Sequence, residues 1–259
     1  MIKSFIALIV SIIVVHMFYI GYVRPEAYAL IEIAQASGLS SPRDVVVILK
    51  DYEQEICFIL MLWGCFLISV NYREILKTKY LFSVDLIEEH HNNNPDADQN
   101  GQETGLDVHG IIDKLDQQIP KDCLSSPLVQ TLRSSLWRYA ATQNVQNLSD
   151  AIDSNLDALA VRQDSENTMI RYLIWAIPSI GFIGTVRGIG QALSQADQAL
   201  AGNISGMTNS LGVAFNSTLV ALLISIFLMF LFHQLQRLQD SQILDTQAYC
   251  EKFLLSRIK

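Results

Sequence analysis

Four stretches of the chain are apolar for long enough to cross a bilayer, and polar loops and helical periodicity separate them. A crossing helix needs roughly 20 mostly apolar residues to cover about 30 Å of hydrocarbon. The first run is Phe5–Val23, preceded by Lys3. The second, Ile56–Val70, reads on into Asn71 and Tyr72. The third, Met169–Leu193, is interrupted by Arg187, and the fourth, Gly212–Phe232, is uninterrupted. The first run shares features with a cleaved leader, because Ala27-Tyr28-Ala29 forms a small-x-small pattern. It is, however, longer than the ~7–15 apolar residues usual in leaders, and the Ala pair lies beyond Arg24 and Glu26, so a retained span is expected.

Between the second and third runs the stretch Glu88–Gly105 is polar and aperiodic and reads as a loop. Helical spacing resumes with Ile111, Ile112 and Leu115, then Leu128, Leu132, Leu136 and Tyr139 at steps of four, four and three. A further series, Val145, Leu148, Ile152, Leu156 and Leu159, reaches the third run without Pro or Gly, which predicts one long helix entering the bilayer. The fourth run continues through Leu235, Leu238 and the Phe253-Leu254 pair with no helix breaker, predicting a second long helix. The expected fold is therefore an all-α integral membrane protein with four transmembrane helices and long cytoplasmic helical extensions. Its expected divisions are 1–80 (two spans around an external segment 24–55), 81–168 (a cytoplasmic loop and helices) and 169–259 (a two-span hairpin with a cytoplasmic C-terminal helix).

Composition supports the bilayer: half of the 259 residues are apolar, and the net charge is −8. Cytoplasmic flanks of spans are enriched in Lys and Arg. Lys3, then Arg73, Lys77 and Lys79, then Arg171, then Arg237, Lys252, Arg257 and Lys259 flank the four runs in turn. Both termini are thus expected in the cytoplasm, with 24–55 and the link Ser194–Asn209 outside. Cys57, Cys65, Cys123 and Cys250 have no CxxC spacing and fall in spans or in reducing cytoplasm, which argues against disulfides or a thiolate metal site. The acidic balance argues against nucleic acid as a partner. His90 and His91 beside Glu88 and Glu89 lie in a floppy polar loop that does not preorganise ligands, so no metal site is expected. None of the GxSxG, P-loop or HExxH arrangements is present, so an enzyme reading has no residues to rest on.

Polar groups inside spans are costly and mark function or packing. Between their ends the four runs contain no Asp or Glu; His16 and Arg187 are their ionisable groups. Arg does not give up its proton, so His16 alone could relay one, and any ion relay is expected to borrow a carboxylate from another subunit. In the fourth run Ala214, Thr218, Ala221 and Ser225 form a small, weakly polar stripe. The third run carries a matching stripe in Gly181, Gly184, Thr185 and Gly188. The plainer reading is close helix packing; the sharper one is a narrow space for a partner helix, with the Thr185 and Thr218 hydroxyls exposed to it. Pro178 kinks the third run either as a hinge or as a static bend. Arg187 is expected to snorkel to the interface, or else to stand as a positive charge at a pore mouth.

Ile177–Leu193 (IPSIGFIGTVRGIGQAL), followed by Leu211–Ser225 (LGVAFNSTLVALLIS), resembles the paired helices of the MotA/TolQ/ExbB proton-channel family of ion-driven motors. In that family the first helix reads P-x-x-G-x-x-GTV-x-G, matched by Pro178, Gly181, Gly184, Thr185, Val186 and Gly188. The second reads A-(F/L)-x-x-T, matched by Ala214, Phe215 and Thr218. The resemblance implies an inner-membrane homopentamer around two copies of a single-span partner similar to MotB, TolR or ExbD. That partner supplies a membrane Asp. H+, or Na+, flows past it and turns the inner dimer, with no other cofactor. Thr185 and Thr218, with Ser217, Asn216 and Ser225, would then face the partner and the ion, while Pro178, Gly181, Gly184, Gly188, Ala214 and Ala221 serve as hinge or close packing. Arg187 stands where an apolar residue is common, and Ala221 where Gly is common. Four spans with an internal N-terminus match the flagellar stator branch, and Zorya-type anti-phage motors share the motifs. From another class, a non-conducting helical scaffold would use the same stripes.

Overall fold

Every regular element in the described residues of the computed structural model is helical. Those residues are 2–36, 44–83, 111–112, 119–120, 123–124 and 126–256; the Glu88–Gly105 stretch, with its His90 and His91, and Leu115 lie outside them. The elements are α1 (Ile2–Phe18), a π turn (Tyr19–Val23), α2 (Arg24–Ala36), α3 (Val45–Leu49), α4 (Tyr52–Thr78) with a 3-10 turn (Lys79–Ser83), α5 (Pro127–Thr142), α6 (Val145–Leu193), α7 (Ala196–Leu200), and α8 (Ser205–Tyr249) ending in a π turn (Cys250–Leu255). Four helical segments are long and apolar enough to cross a membrane: Ile2–Ala34, Tyr52–Phe82, Val145–Leu193 and Ser205–Leu255. They contain the four predicted runs.

Local chemistry explains the boundaries. Ahead of Pro25 the first helix widens into its π turn, where the Arg24 N–H bonds the Tyr19 carbonyl, and so passes a residue that cannot donate. Ser126 caps α5 by accepting from the Val129 N–H at 3.4 Å, with Pro127 in the first turn. α5 ends where Gln143 takes a left-handed φ of 50° and donates its N–H to Tyr139. Asn144 then opens α6 by accepting from the Gln146 N–H at 2.8 Å. From there α6 runs unbroken for 49 residues through Pro178, and α8 runs for 45, as the uninterrupted periodicity predicts.

The chain divides into two compact units. One comprises Met1–Val70 and Thr168–Gln234 and holds most of the apolar runs. Within it Val15, Tyr19 and Val23 pack with Val46, Leu49, Phe58 and Ile59, and the Trp63 indole donates to the Ser4 carbonyl at 3.1 Å. Large apolar side chains on α1 and on the outer faces of α6 and α8, among them Ile13, Phe182, Phe215 and Phe230, are more than half exposed, as suits a lipid-facing or subunit-facing surface.

The other unit comprises Asn71–Asn167 and Leu235–Lys259. Its core joins Ile111, Ile112, Leu128, Leu132, Leu136, Leu148, Ile152, Leu156, Cys250 and Leu254, so most of the stripes expected on α5 and α6 is buried, while Tyr139 and Leu159 are half-buried and Val145 is exposed. Paired amides tie α6 to α8 here: Asn167 donates to Gln239 at 2.7 Å, and Gln163 to Gln242 at 3.1 Å. All four side chains are buried and partnered, so the amides add specific register rather than an unpaired burden.

Candidate functional site

The two small-residue stripes face one another. A Cβ built on Gly181 would stand 2.5 Å from the Ala221 Cβ, and one on Gly184 2.5 Å from the Ser217 Cβ. One on Gly188 would meet the Ala214 backbone nitrogen at 2.7 Å and the Ser210 carbonyl at 2.8 Å. Ala214 and Ala221 are fully buried in the same contact. α6 and α8 therefore touch almost backbone to backbone, an approach that only missing side chains permit. The faces of these three glycines are filled from within the chain.

The two threonines lie inside that contact and remain partly exposed. The Thr185 and Thr218 hydroxyls hydrogen-bond to one another across the hairpin. Thr185 Oγ1 also reaches the Ala214 carbonyl at 3.1 Å and the Gly181 carbonyl at 3.3 Å, and Thr218 Oγ1 reaches the same two carbonyls at 3.5 and 3.4 Å. Four oxygens thus converge, two of them hydroxyls able both to donate and to accept. Such a cluster can bind a hydronium or a small hard cation, or hand a proton along. Ser217 is buried beside it and donates to Val213 at 2.9 Å, and Asn216 is half-buried.

Ser225 has a different task. Pro178 has no N–H, which leaves the Ile174 carbonyl without its helical donor. The Ser225 hydroxyl of α8 donates to that carbonyl at 2.9 Å, which explains an unbroken α6. Ser225 is engaged by this bond rather than grouped with the threonines.

Arg187 does not extend as a free cation. Glu53, in the first turn of α4, grips it with both oxygens, Nε to Oε1 at 2.6 Å and Nη2 to Oε2 at 2.8 Å, with Asp51 at 3.9 Å. Next to Glu53, Gln54 is fully buried and donates to the Ser217 hydroxyl at 3.4 Å. Glu55, also buried, binds Arg24 and lies 2.5 Å from His16 Nδ1. Arg187, expected to snorkel to the interface or to stand at a pore mouth, is thus held by carboxylates and stays partly exposed. Glu53, Gln54 and Glu55, which close the segment 24–55 expected outside, lie in the first turn of α4, which begins at Tyr52 and belongs to the first unit. The signal was present: an Arg inside an apolar run calls for an acid, and Asp51, Glu53 and Glu55 stand just ahead of another run.

A polytopic helical membrane protein with a polar hairpin at its tightest packing is the class that fold and site define. Residues 120–248 match the MotA/TolQ/ExbB proton channel family. Through that region the chain belongs to the MotA/TolQ/ExbB family, which is of channel type rather than enzymatic and works in complexes with partner proteins. No curated protein and no solved structure matches the chain.

Proposed function

We propose that the chain is the pore subunit of an ion-driven motor. In this reading five copies surround the membrane helices of two single-span partners, and H+ or Na+ passes the Thr185 and Thr218 oxygens to a partner Asp. The passage turns the inner dimer and does mechanical work. The observation that carries this reading is the convergence of two hydroxyls and two carbonyls in a membrane hairpin whose chain region matches a proton-channel family. That cluster contains no carboxylate, so an Asp from a partner completes it. Ser217 and Asn216 border the path. The Lys and Arg flanks support cytoplasmic termini and, with them, a second unit that serves as a cytoplasmic helical layer.

The glycine faces, fully used in packing, favour one rival: a membrane scaffold that conducts nothing. Subunit counting separates the two. Native mass spectrometry of the purified protein, alone and co-expressed with the product of a neighbouring gene that encodes a single-span protein with an early Asp, is expected to give five copies joined by two of that partner. A monomer or dimer indifferent to the neighbour would establish the scaffold.

A further inference from the structure

We propose that the first turn of α4 is a clasp that positions the threonine pair and neutralises the charge beside it, with Glu53 and Gln54 as the positioning residues. The proposal rests on the pore reading above. Glu53 holds Arg187, two residues beyond Thr185 on α6, and its Cγ lies 3.1 Å from where a Gly184 side chain would begin. Gln54 holds Ser217, the residue before Thr218 on α8. Two consecutive residues of a third helix therefore grip both arms of the hairpin next to the two hydroxyls.

The charges give the clasp a second consequence. Around this turn the acids Asp51, Glu53 and Glu55 are matched by Lys50, Arg187 and Arg24, in ion pairs of 3.0 Å for Lys50 to Asp51 and 2.6 Å for Arg187 to Glu53, with Arg24 bound to Glu55. Arg187 is thereby balanced. Without Glu53, Arg187 would be left with the more distant Asp51 at 3.9 Å, and its weakly compensated charge, two residues from Thr185, would repel an approaching cation. Glu53 thus both fixes the spacing of Thr185 and Thr218 and keeps cations from being repelled there.

The test uses the full chain co-expressed with its single-span neighbour, in vesicles loaded with a pH-sensitive or a Na+-sensitive dye. Glu53→Gln is expected to lower flux about tenfold or more, the scale of one close charge coupling, with an unchanged subunit count. Neutralising both partners, in Glu53→Gln/Arg187→Gln, is expected to recover most of it, which a merely structural residue would not do. A Glu53→Gln protein that conducts like the parent, or a double variant as poor as the single, overturns the proposal. The clasp is also read without flux. In detergent, the drop in thermal midpoint of the double variant should be smaller than the two single drops added together; additive drops overturn the clasp. Parent vesicles that pass neither ion overturn the pore reading and the charge role with it, while the thermal cycle still decides whether the clasp exists.

Discussion

Pro178 and Ser225 show how one side chain can repair another's defect across two helices. The proline deletes a donor, and the serine hydroxyl replaces it at the Ile174 carbonyl. Ser225→Ala should therefore leave a buried acceptor empty and destabilise the first unit by about 1 kcal/mol. In a Pro178→Ala background the helix supplies its own N–H, and the same serine change should have little effect. Thermal unfolding in detergent of the four proteins checks this, and equal effects in both backgrounds would contradict the pairing. Thr218→Val tests the other hydroxyl. Valine keeps the shape and removes the oxygen, so vesicle flux should fall to background with assembly intact; undiminished flux would take the hydroxyl out of the path. Sequence indicated both threonines through their motif. It could not indicate the Ser225 bond, because 51 residues separate donor from acceptor and periodicity carries no record of which carbonyl a serine reaches.

At the scale of elements, the α6–α8 hairpin depends on where its glycines fall. Gly188 has no room for a methyl group, since its neighbours are the Ala214 nitrogen and the Ser210 carbonyl, which are backbone atoms unable to rotate aside. Gly190, two residues along the same helix, would place a Cβ with nothing within 4 Å. Gly188→Ala should thus separate the helices and lower the thermal midpoint by several degrees, whereas Gly190→Ala should be neutral or gain up to about 1 kcal/mol of helix propensity. A matched pair of melting curves settles it, and equal midpoints would refute the backbone contact. The long helices were legible because no breaker interrupts the spacing from Val145 to the third run or the stretch beyond Phe232, and the glycine stripe because small residues recur on one face. The start of α4 was not legible as part of the membrane unit. Its acids close the segment expected outside, and periodicity gives no sign of the pairs they form with Arg187, Arg24 and His16.

For the whole molecule, the two compact units bury their hydrophobic surface by different means. The second unit has a water-soluble type of core in which Leu132, Leu136, Leu148 and Cys250 are fully buried. The first leaves most of its apolar side chains uncovered, and only a bilayer, a detergent belt or neighbouring copies can shield them. Urea weakens aqueous burial, while helices inside a detergent belt keep their backbone bonds because no water competes for them. The units should therefore open separately, and their cysteines report it. Cys123 and Cys250 are buried in the second unit, and Cys57 in the first, where its thiol lies 3.8 Å from the Ile177 carbonyl. In native micelles a maleimide should leave all three unmodified. On adding urea, Cys123 and Cys250 should react together at moderate concentration, with Cys57 still protected, as followed by mass spectrometry of the labelled peptides. Simultaneous labelling of all three would mean that the chain opens as one cooperative body. Early labelling of Cys57 alone would place the weaker packing in the membrane unit and count against its shielding by the belt.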